Sequence, residues 1–185
     1  MLSALVGSVS APTLVLVSGP PGSGKTTLAH ALASAVGCPA VCRDEIKEGM
    51  VHGIPDYVPA LGDDVAWRVY ETFFATLRLL VAAGVTVVAE AAFQDRLWRR
   101  GVEPLLPLAE VKVVQCQVGA DVAARRVSGR RRSAHADGQW VVGEFERVAL
   151  GVPEIRVDTT DGYVPGIAAI VGFVNGGDAT SGGRR

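Results

Sequence analysis

The stretch "TLVLVSGPPGSGKTTLAHALA", residues 13–33, decides how the rest of the sequence is interpreted. It opens with an apolar run, residues 13–18, that is typical of a strand buried on both faces of a parallel sheet. Residues 19–26 then match the pattern G-x-x-x-x-G-K-[ST], whose glycines turn backbone N–H groups toward phosphate oxygens. A helix follows from Lys25, and its N-terminal dipole adds to the attraction for an anion. The stretch therefore predicts a strand, a phosphate-binding loop and a helix, in that order.

Such a loop predicts a nucleoside triphosphate, ATP or GTP, and Mg²⁺ as ligands. We expect the Lys25 ammonium to reach the β- and γ-phosphates and the Thr26 hydroxyl to ligate Mg²⁺. The nucleotide is expected to contact residues along the whole loop: Gly19, Pro21, Gly22, Ser23, Gly24, Lys25, Thr26 and Thr27.

Strands and helices alternate along the rest of the chain. Further short apolar runs predict strands at 40–42, 85–90, 111–118 and 154–158. Helical patterns cover 25–36, a short stretch from 44, 63–83, a segment from 95 to the prolines at 104 and 107, 121–131, 139–149 and 164–174. This alternation predicts an α/β fold with a parallel sheet and helices on both of its faces. Ligands of such folds bind beyond the carboxyl ends of the strands, so the residues that follow each strand are the candidates for function.

Asp44 follows the second predicted strand in "CRDEIKE". A carboxylate there can accept the proton of an acceptor hydroxyl and orient its oxygen for in-line attack. The alternative is that Asp44 only caps the helix that begins there. Arg43 and Lys47 are expected either to hold an anionic group of the acceptor or to be solvated surface charges.

Glu90 ends the third predicted strand in "VVAEAAF". An acid at this position holds Mg²⁺ directly or through its waters, which makes Thr26 and Glu90 the predicted metal ligands. Glu90 is also a candidate to orient a water molecule or to contact the acceptor. A structural ion pair is the remaining alternative.

An arginine-rich segment, residues 121–138, follows the fourth predicted strand. Arg126 and Arg130 share a helix face, and their guanidinium groups suit the charge of a migrating phosphoryl group. We expect a lid that closes over the nucleotide. A solvated basic face and a nucleic-acid patch are the alternatives. The nucleotide base is expected near Arg126 and residues 158–160, which include Thr159.

The acceptor pocket is expected to use the loop "MVHGIPDYVPALG", residues 50–62, which carries Tyr57. Trp67 on the next helix and Phe93 after the third strand are further candidate contacts. Core packing is the alternative for every aromatic residue, and it is the expectation for Phe73 and Phe74.

The whole chain has 185 residues, 49% hydrophobic and 20% charged, with a net charge of −1, so nucleic acid is not an expected partner. No apolar run is long enough to cross a bilayer, and residues 1–12 lack a basic signal region, so a cytoplasmic protein is expected. An N-terminal lead-in (1–12), one domain (13–174) and a flexible tail (175–185) are predicted.

Cys38, Cys42 and Cys116 are expected to be reduced thiols. No histidine lies near Cys38 or Cys42 in the sequence, so a zinc site is not expected.

Four segments together resemble one group of P-loop kinases: "GPPGSGKTTLA", "CRDEIKEGM", "VVAEAAF" and "RRVSGRRRSAHAD". This is the AAA_33 and zeta-toxin type, which includes chloramphenicol phosphotransferase and the kinase domain of polynucleotide kinase. The resemblance covers about residues 13–160 and implies the three-layer sandwich of P-loop NTPases, with a five-stranded parallel sheet of order 2-3-1-4-5. It makes Asp44 the general base, and Lys25 with Arg126 or Arg130 the groups that stabilise phosphate.

By that resemblance, the chain is expected to move the γ-phosphoryl group of a nucleotide to a hydroxyl of a small molecule. An antibiotic, which would imply resistance or self-protection, a nucleoside-like compound or a sugar would fit. A polynucleotide 5′-hydroxyl kinase and a non-catalytic or NTP-hydrolysing switch are the alternatives. Lys47 stands where polynucleotide kinases carry an arginine for the acceptor phosphate, and Glu90 replaces the more usual aspartate.

Overall fold

The computed structural model describes residues 11–58, 63–129, 145–147 and 149–176. Its five strands form one parallel sheet in the order β2-β3-β1-β4-β5, which confirms the predicted order. The strands are β1 (Thr13–Ser18), β2 (Ala40–Cys42), β3 (Val87–Glu90), β4 (Glu110–Gln117) and β5 (Glu154–Asp158). All five carboxyl ends therefore point to the same edge of the sheet.

Helices cover the two faces of the sheet. They are α1 (Lys25–Val36), α2 (Arg43–His52), α3 (Asp64–Ala82), α4 (Asp95–Val102), α5 (Ala120–Ser128) and α6 (Ile167–Val174), and a 3₁₀ turn (Glu103–Leu105) follows α4. Buried residues of α3 and α4 pack in the hydrophobic cluster on one face, and those of α1 and α6 pack in the cluster on the other. This is the three-layer arrangement predicted for the chain.

The central strand β1 supplies side chains to both layers of the core. Leu14 and Leu16 pack on the side of α3 and α4, whereas Val15 and Val17 pack on the side of α1 and α6. None of the four has any exposed surface. Successive side chains of a strand point to opposite faces, so a strand covered on both sides must be apolar throughout.

An aromatic cluster fills the core between the sheet and the helices α3 and α4. Its neighbouring rings have centroid distances from 4.9 to 6.0 Å, with mostly edge-on or tilted geometry. The cluster consists of Tyr70, Phe73, Phe74, Phe93 and Trp98. Core packing of Phe73 and Phe74 is thus confirmed. Phe93, a candidate acceptor contact in the sequence, has no exposed surface, so no part of its ring is left for a small molecule to touch.

Three predicted elements differ from the structure for identifiable reasons. The strand predicted at 85–90 begins at Val87, because the Val85 N–H bonds back to Leu80 of α3 at 2.9 Å. The helix predicted from 164 begins at Ile167, because Val164 and Asp158 exchange backbone hydrogen bonds of 2.8 and 2.9 Å.

The third difference concerns the helix predicted at 139–149. Residues 145–147, 149 and 150 are not helical. Arg147 instead forms an antiparallel bridge with Gln94, and its guanidinium donates to Glu154 at 2.7 Å. Residues 139–144 and 148 lie outside the described part of the chain, as do 130–138 of the expected lid, most of the lead-in and most of the tail.

A buried lysine in β4 holds the last helix against the sheet. The Lys112 ammonium donates to the carbonyl oxygens of Phe173 and Val174 at 3.1 and 2.9 Å, and it lies 3.1 Å from a Glu110 carboxylate oxygen. The carbonyls at a helix C-terminus have no partner within the helix, so a cation there satisfies them. Over the described ranges, no helix combines the length and apolarity needed to cross a membrane.

Candidate active site

The glycine loop joins the end of β1 to the start of α1, at the edge where all five strands end. Gly22 and Gly24 have φ angles of 79° and 73°, in the region that favours glycine. A Cβ atom on Gly22 would lie only 2.5 Å from the Ala123 carbonyl oxygen, so α5 packs directly on the loop. The loop thus has the glycine conformations that its sequence predicts, and α5 packs against one side of it.

Lys25 and Thr26 begin α1 and point to the two sides of the loop. The Lys25 side chain is buried and its ammonium donates to the Pro20 carbonyl oxygen at 3.4 Å, which folds it over the loop. The Thr26 hydroxyl donates to a Glu90 carboxylate oxygen at 3.1 Å. Both side chains thus lie at the loop, and their contacts with a triphosphate and its Mg²⁺ stay predictions.

Glu90 lies at the end of β3 with only 1% of its surface exposed. Burial raises the pKa of its carboxyl group, and the nearby charge of Asp44 raises it further, whereas the Lys25 ammonium lowers it. A hydroxyl oxygen and a buried carboxylate side by side are hard oxygen donors of the kind that Mg²⁺ prefers. This donor set fits Mg²⁺, with Thr26 and Glu90 as the residues that would hold it.

Asp44 and its neighbours occupy the next strand end. Helix α2 begins at Arg43 and its N-cap residue is Cys42, so Asp44 lies in the first turn and is not the N-cap. The Arg43 guanidinium donates to an Asp44 carboxylate oxygen at 3.0 Å, which fixes the orientation of the carboxylate. Cys42, two residues before Asp44, is the register partner of Glu90, so the two acids lie at neighbouring strand ends.

Lys47 lies one turn further along α2 and is 7% exposed, so the alternative of a solvated surface charge is wrong for this residue. Burial lowers the pKa of its ammonium group, and the positive charge of Arg43 lowers it further. The carboxylates of Asp63, Asp44 and Glu48 act in the opposite direction, so acids of the protein balance part of the Lys47 charge.

A hydrogen bond ties the described part of the expected acceptor loop to the start of α3. The Tyr57 hydroxyl donates to an Asp63 carboxylate oxygen at 2.5 Å, and burial together with that contact raises the pKa of Tyr57 to about 12. Asp63 is also the N-cap of α3, because it accepts from the Ala66 N–H at 2.8 Å. Trp67 is 64% exposed on the same helix, its ring centroid 6.0 Å from that of Tyr70. A cavity of about 460 Å³ between α2 and the loop is lined by Glu48, Gly49, Val51, His52, Ile54 and Tyr57.

On the other side of the glycine loop, Thr159 and Arg126 brace the backbone. The buried Thr159 hydroxyl lies 2.6 Å from the Ser23 carbonyl oxygen and 2.9 Å from that of Gln117. The Arg126 guanidinium donates to the carbonyl oxygens of Gly22, Thr159 and Thr160 at 3.4, 2.9 and 3.1 Å. Both side chains thus join the loop after β5 to the glycine loop.

These two residues also border a second cavity of about 460 Å³, which is lined by Gly24, Thr27, Arg125, Arg126, Gly129, Thr159, Gly162 and Tyr163. Its place beside the start of α1 suits the base and sugar of a nucleotide. Contact of Arg126 and Thr159 with that nucleotide stays a prediction. Arg130, the second predicted lid arginine, lies outside the described residues.

The structure also brings together three residues that the sequence did not associate. His30 of α1 lies with its Nε2 atom 3.6 Å from the Cys42 sulfur and 2.6 Å from a Glu45 carboxylate oxygen. No histidine is near Cys42 in the sequence, but His30 is near it in the folded structure. Packing of α1 beside β2 produces the contact, and no spacing rule could have revealed it.

A parallel sheet of order 2-3-1-4-5, with a glycine loop after its central strand and Lys25, Thr26 and Glu90 around that loop, defines the P-loop kinase fold. The chain belongs to the AAA_33 family of AAA domains, whose model matches residues 14–147. The resemblance inferred from the four sequence segments is therefore confirmed.

Solved structures agree with this assignment. A candidate kinase from Chloroflexus aurantiacus superposes with a TM-score of 0.78 at 26% identity and covers 89% of this chain and 97% of its own. A sugar kinase from Janibacter sp. HTCC2649 has a TM-score of 0.57 at 23% identity over 80% of this chain and 85% of its own. A gluconokinase from Sinorhizobium meliloti 1021 has a TM-score of 0.53 at 22% identity over 89% of both chains.

The curated relatives are longer proteins. Uncharacterized proteins from Mycobacterium tuberculosis and Mycobacterium bovis are 29% identical over 128 residues, which is 63% of this chain and 25% of theirs. The chain thus spans about a quarter of the length of the curated relatives it matches.

Proposed function

We propose that this protein is an NTP-dependent phosphotransferase that moves the γ-phosphoryl group to a hydroxyl of a small molecule. The observation that carries the proposal is the convergence of three groups at adjacent strand ends. Asp44 and Lys25 both act on the pKa of Glu90, and Thr26 donates to it. The strands before these groups are register partners, Val17 with Glu90 and Cys42 with Glu90, so the proposed proton acceptor, metal-binding pair and phosphate-binding ammonium follow neighbouring strand ends. The Chloroflexus aurantiacus structure supports the general class, since it resembles this chain over nearly its whole length.

Each residue has a defined part in this mechanism. Bound Mg²⁺–nucleotide supplies the electrophilic γ-phosphorus and a nucleoside diphosphate leaving group. The Lys25 ammonium leaves the Pro20 carbonyl oxygen and binds phosphate oxygens, while Thr26 and Glu90 would hold the metal ion. The Asp44 carboxylate, oriented by Arg43, accepts the hydroxyl proton as the acceptor oxygen bonds to phosphorus. The products are the phosphorylated acceptor and the nucleoside diphosphate, and the proton leaves through Asp44.

The acceptor is proposed to be a hydroxylated compound that carries an anionic or strongly polar group. Two cations lie near the proposed base: Arg43, which is paired with Asp44, and the buried Lys47, whose charge nearby carboxylates balance in part. A sugar or sugar acid fits this arrangement, and the presence of a sugar kinase and a gluconokinase among the structures of this fold supports that choice. An antibiotic or a nucleoside-like compound is a second proposed class of acceptor, which is included in the test below.

The test is a transfer assay with ATP or GTP and Mg²⁺. The acceptor panel contains sugars, sugar acids, nucleosides, hydroxylated antibiotics and 5′-hydroxyl oligonucleotides. We expect a phosphorylated small molecule. Transfer to oligonucleotides alone would assign a polynucleotide kinase, and hydrolysis that no acceptor accelerates would assign an NTP-hydrolysing switch; either result contradicts the proposal.

The variant Asp44→Asn tests the role of the base. It is expected to keep nucleotide affinity within about twofold and to lose about 10²–10⁴-fold in kcat, the usual contribution of general acid–base catalysis. The control Glu71→Gln neutralises an exposed carboxylate on α3 and should leave kcat unchanged. Near-normal turnover of Asp44→Asn would remove Asp44 as the base.

A further inference from the structure

Three potential metal ligands meet at the surface where α1, β2 and α2 come together. His30 lies on α1, Cys42 ends β2, and Glu45 lies in the first turn of α2. One ligand atom from each residue, an imidazole nitrogen, a thiol sulfur and a carboxylate oxygen, lies within 4.8 Å of the other two. The sulfur is buried, whereas about half of the His30 and Glu45 side chains is exposed. A cation at this position would be reached directly from solvent.

One of the three ligand distances suits a tetrahedral ion directly, and a second suits it after a small movement. Bonds of about 2.3 Å to sulfur and about 2.0–2.1 Å to nitrogen, at the tetrahedral angle, separate the two ligand atoms by about 3.6 Å. The Cys42 sulfur and the His30 Nε2 atom are 3.6 Å apart. The His30 and Glu45 ligand atoms are 2.6 Å apart, which is a hydrogen bond. They would separate to about 3.4 Å around a shared cation, a movement that two half-exposed side chains can make.

The ligand types select a particular class of metal. A thiolate and an imidazole favour Zn²⁺ and similar borderline-soft transition metals, whereas Mg²⁺ and Ca²⁺ take oxygen ligands. Thiolate and carboxylate together carry two negative charges, which neutralise a divalent cation. Burial and the adjacent carboxylates of Glu90 and Glu45 raise the pKa of the Cys42 thiol, which opposes loss of its proton. Coordination displaces that proton to solvent, because a metal-bound thiol is deprotonated.

We propose that His30, Cys42 and Glu45 form a binding site for a thiophilic divalent transition metal ion such as Zn²⁺. The ligand set differs from the magnesium position at Thr26 and Glu90, although the Glu90 carboxylate lies beside the Cys42 thiol. Three protein ligands leave one coordination position for water. A bound ion would join the helix that begins at the phosphate loop to the helix that bears Asp44.

Cobalt is the best probe, because a thiolate–Co²⁺ bond produces a charge-transfer absorption in the near ultraviolet that oxygen ligation does not. The reduced, metal-free full-length protein is titrated with Co²⁺ in the presence of excess Mg²⁺, which fills the oxygen site. We expect a saturable thiolate band with one Co²⁺ per chain, and its loss when Zn²⁺ is added. Absence of the band would overturn the proposal.

Variants assign the ligands. Cys42→Ser should abolish the thiolate band, whereas the matched control Cys38→Ser, which removes a half-buried neighbouring thiol, should retain it. His30→Ala and Glu45→Gln change exposed side chains and should fold normally by circular dichroism. Loss of even an outer-shell partner weakens metal binding about 10–100-fold, so each should weaken Co²⁺ binding by about 100-fold or more. A band that persists in Cys42→Ser, or affinities unchanged in both His30→Ala and Glu45→Gln, would refute the assignment.

Thermal unfolding gives a second measure. Zn²⁺ at about 100 times its dissociation constant should raise the Tm of the wild-type and Cys38→Ser proteins by roughly 5–10 °C. The same concentration should leave the Tm of folded His30→Ala within about 2 °C of its metal-free value. An equal rise in His30→Ala would show that the ion binds elsewhere and would contradict the proposal.

Discussion

Replacement of Gly22 by alanine tests the packing of α5 on the phosphate loop. The new Cβ would lie 2.5 Å from the Ala123 carbonyl oxygen, and ordinary van der Waals contact begins at 3.4 Å. The loop and α5 would therefore have to separate by about 0.9 Å. The backbone at Gly22 also has a φ of 79°, which an alanine adopts only with strain.

Gly37 serves as a control that separates the cost of backbone strain from the cost of the close contact. A left-handed backbone costs a non-glycine residue about 1–2 kcal/mol, and overpacking of a close contact costs about 1–3 kcal/mol more. Gly22→Ala should therefore lower the free energy of unfolding by about 2–5 kcal/mol. Gly37 has a φ of 81°, and a Cβ there would meet nothing within 4 Å. Gly37→Ala should cost only about 1–2 kcal/mol. Alanine also makes the unfolded chain less flexible, and the resulting gain in stability is the same for both variants.

Urea unfolding of both variants, together with nucleotide titration by calorimetry, measures these effects. We expect Gly22→Ala to be less stable than Gly37→Ala by about 1–3 kcal/mol, which is the contribution of the contact with Ala123. Only Gly22→Ala should also weaken nucleotide binding, because its loop is displaced. Equal free energies of unfolding for the two variants would refute the close packing of α5 on the loop.

Two further predictions concern groups that contact the same loop. Glu90→Gln should raise the Tm of the nucleotide-free protein at neutral pH, because burial raises the pKa of Glu90 and its ionised form is costly to bury. Because the pKa of Glu90 is higher in the folded protein than the ordinary value of 4.5, Glu90 contributes stability to the fold at pH values below 4.5. That contribution is lost as the pH rises through the pKa of the folded protein. The advantage of Glu90→Gln should therefore shrink on acidification, and a thermal series that shows it growing contradicts this. Thr159→Val removes the hydroxyl that lies within hydrogen-bond distance of the Ser23 and Gln117 carbonyl oxygens. We expect a loss of about 1–3 kcal/mol in stability and weaker nucleotide binding, with the exposed Thr160→Val as control; equal losses in urea unfolding would remove Thr159 as a brace.

Features encoded in contiguous residues could be predicted from the sequence. The strand, loop and helix at 13–36 depend on local conformation, on the glycines and on one apolar run, all of which are visible along the chain. The sheet order followed from the family resemblance, and the structure confirms it. The proximity of Thr26 and Glu90 was also expected, because the strands that precede them are neighbours in that order.

Features that depend on contacts between distant side chains could not be predicted. Nothing in the sequence indicates that the Thr159 hydroxyl bonds to Ser23, 136 residues earlier. Phe93 follows a functional strand and yet its ring turns into the core, where four other aromatic rings complete a cluster. The meeting of His30 with Cys42 arises because α1 packs beside β2, a contact that depends on the assembled layers.

The anchoring of α6 by Lys112 has a consequence for where this folding unit ends. The family match ends at residue 147, before β5 and α6. A fragment cut at that boundary would leave the Lys112 ammonium in the central layer without the carbonyl oxygens of Phe173 and Val174. The same cut would remove Ile170, Phe173 and Val174 from the core and expose the apolar strand residues that they cover, which is strongly destabilising. Fragments intended for expression or for transfer into a fusion protein should therefore extend through Val174, well beyond the segment by which the family is recognised.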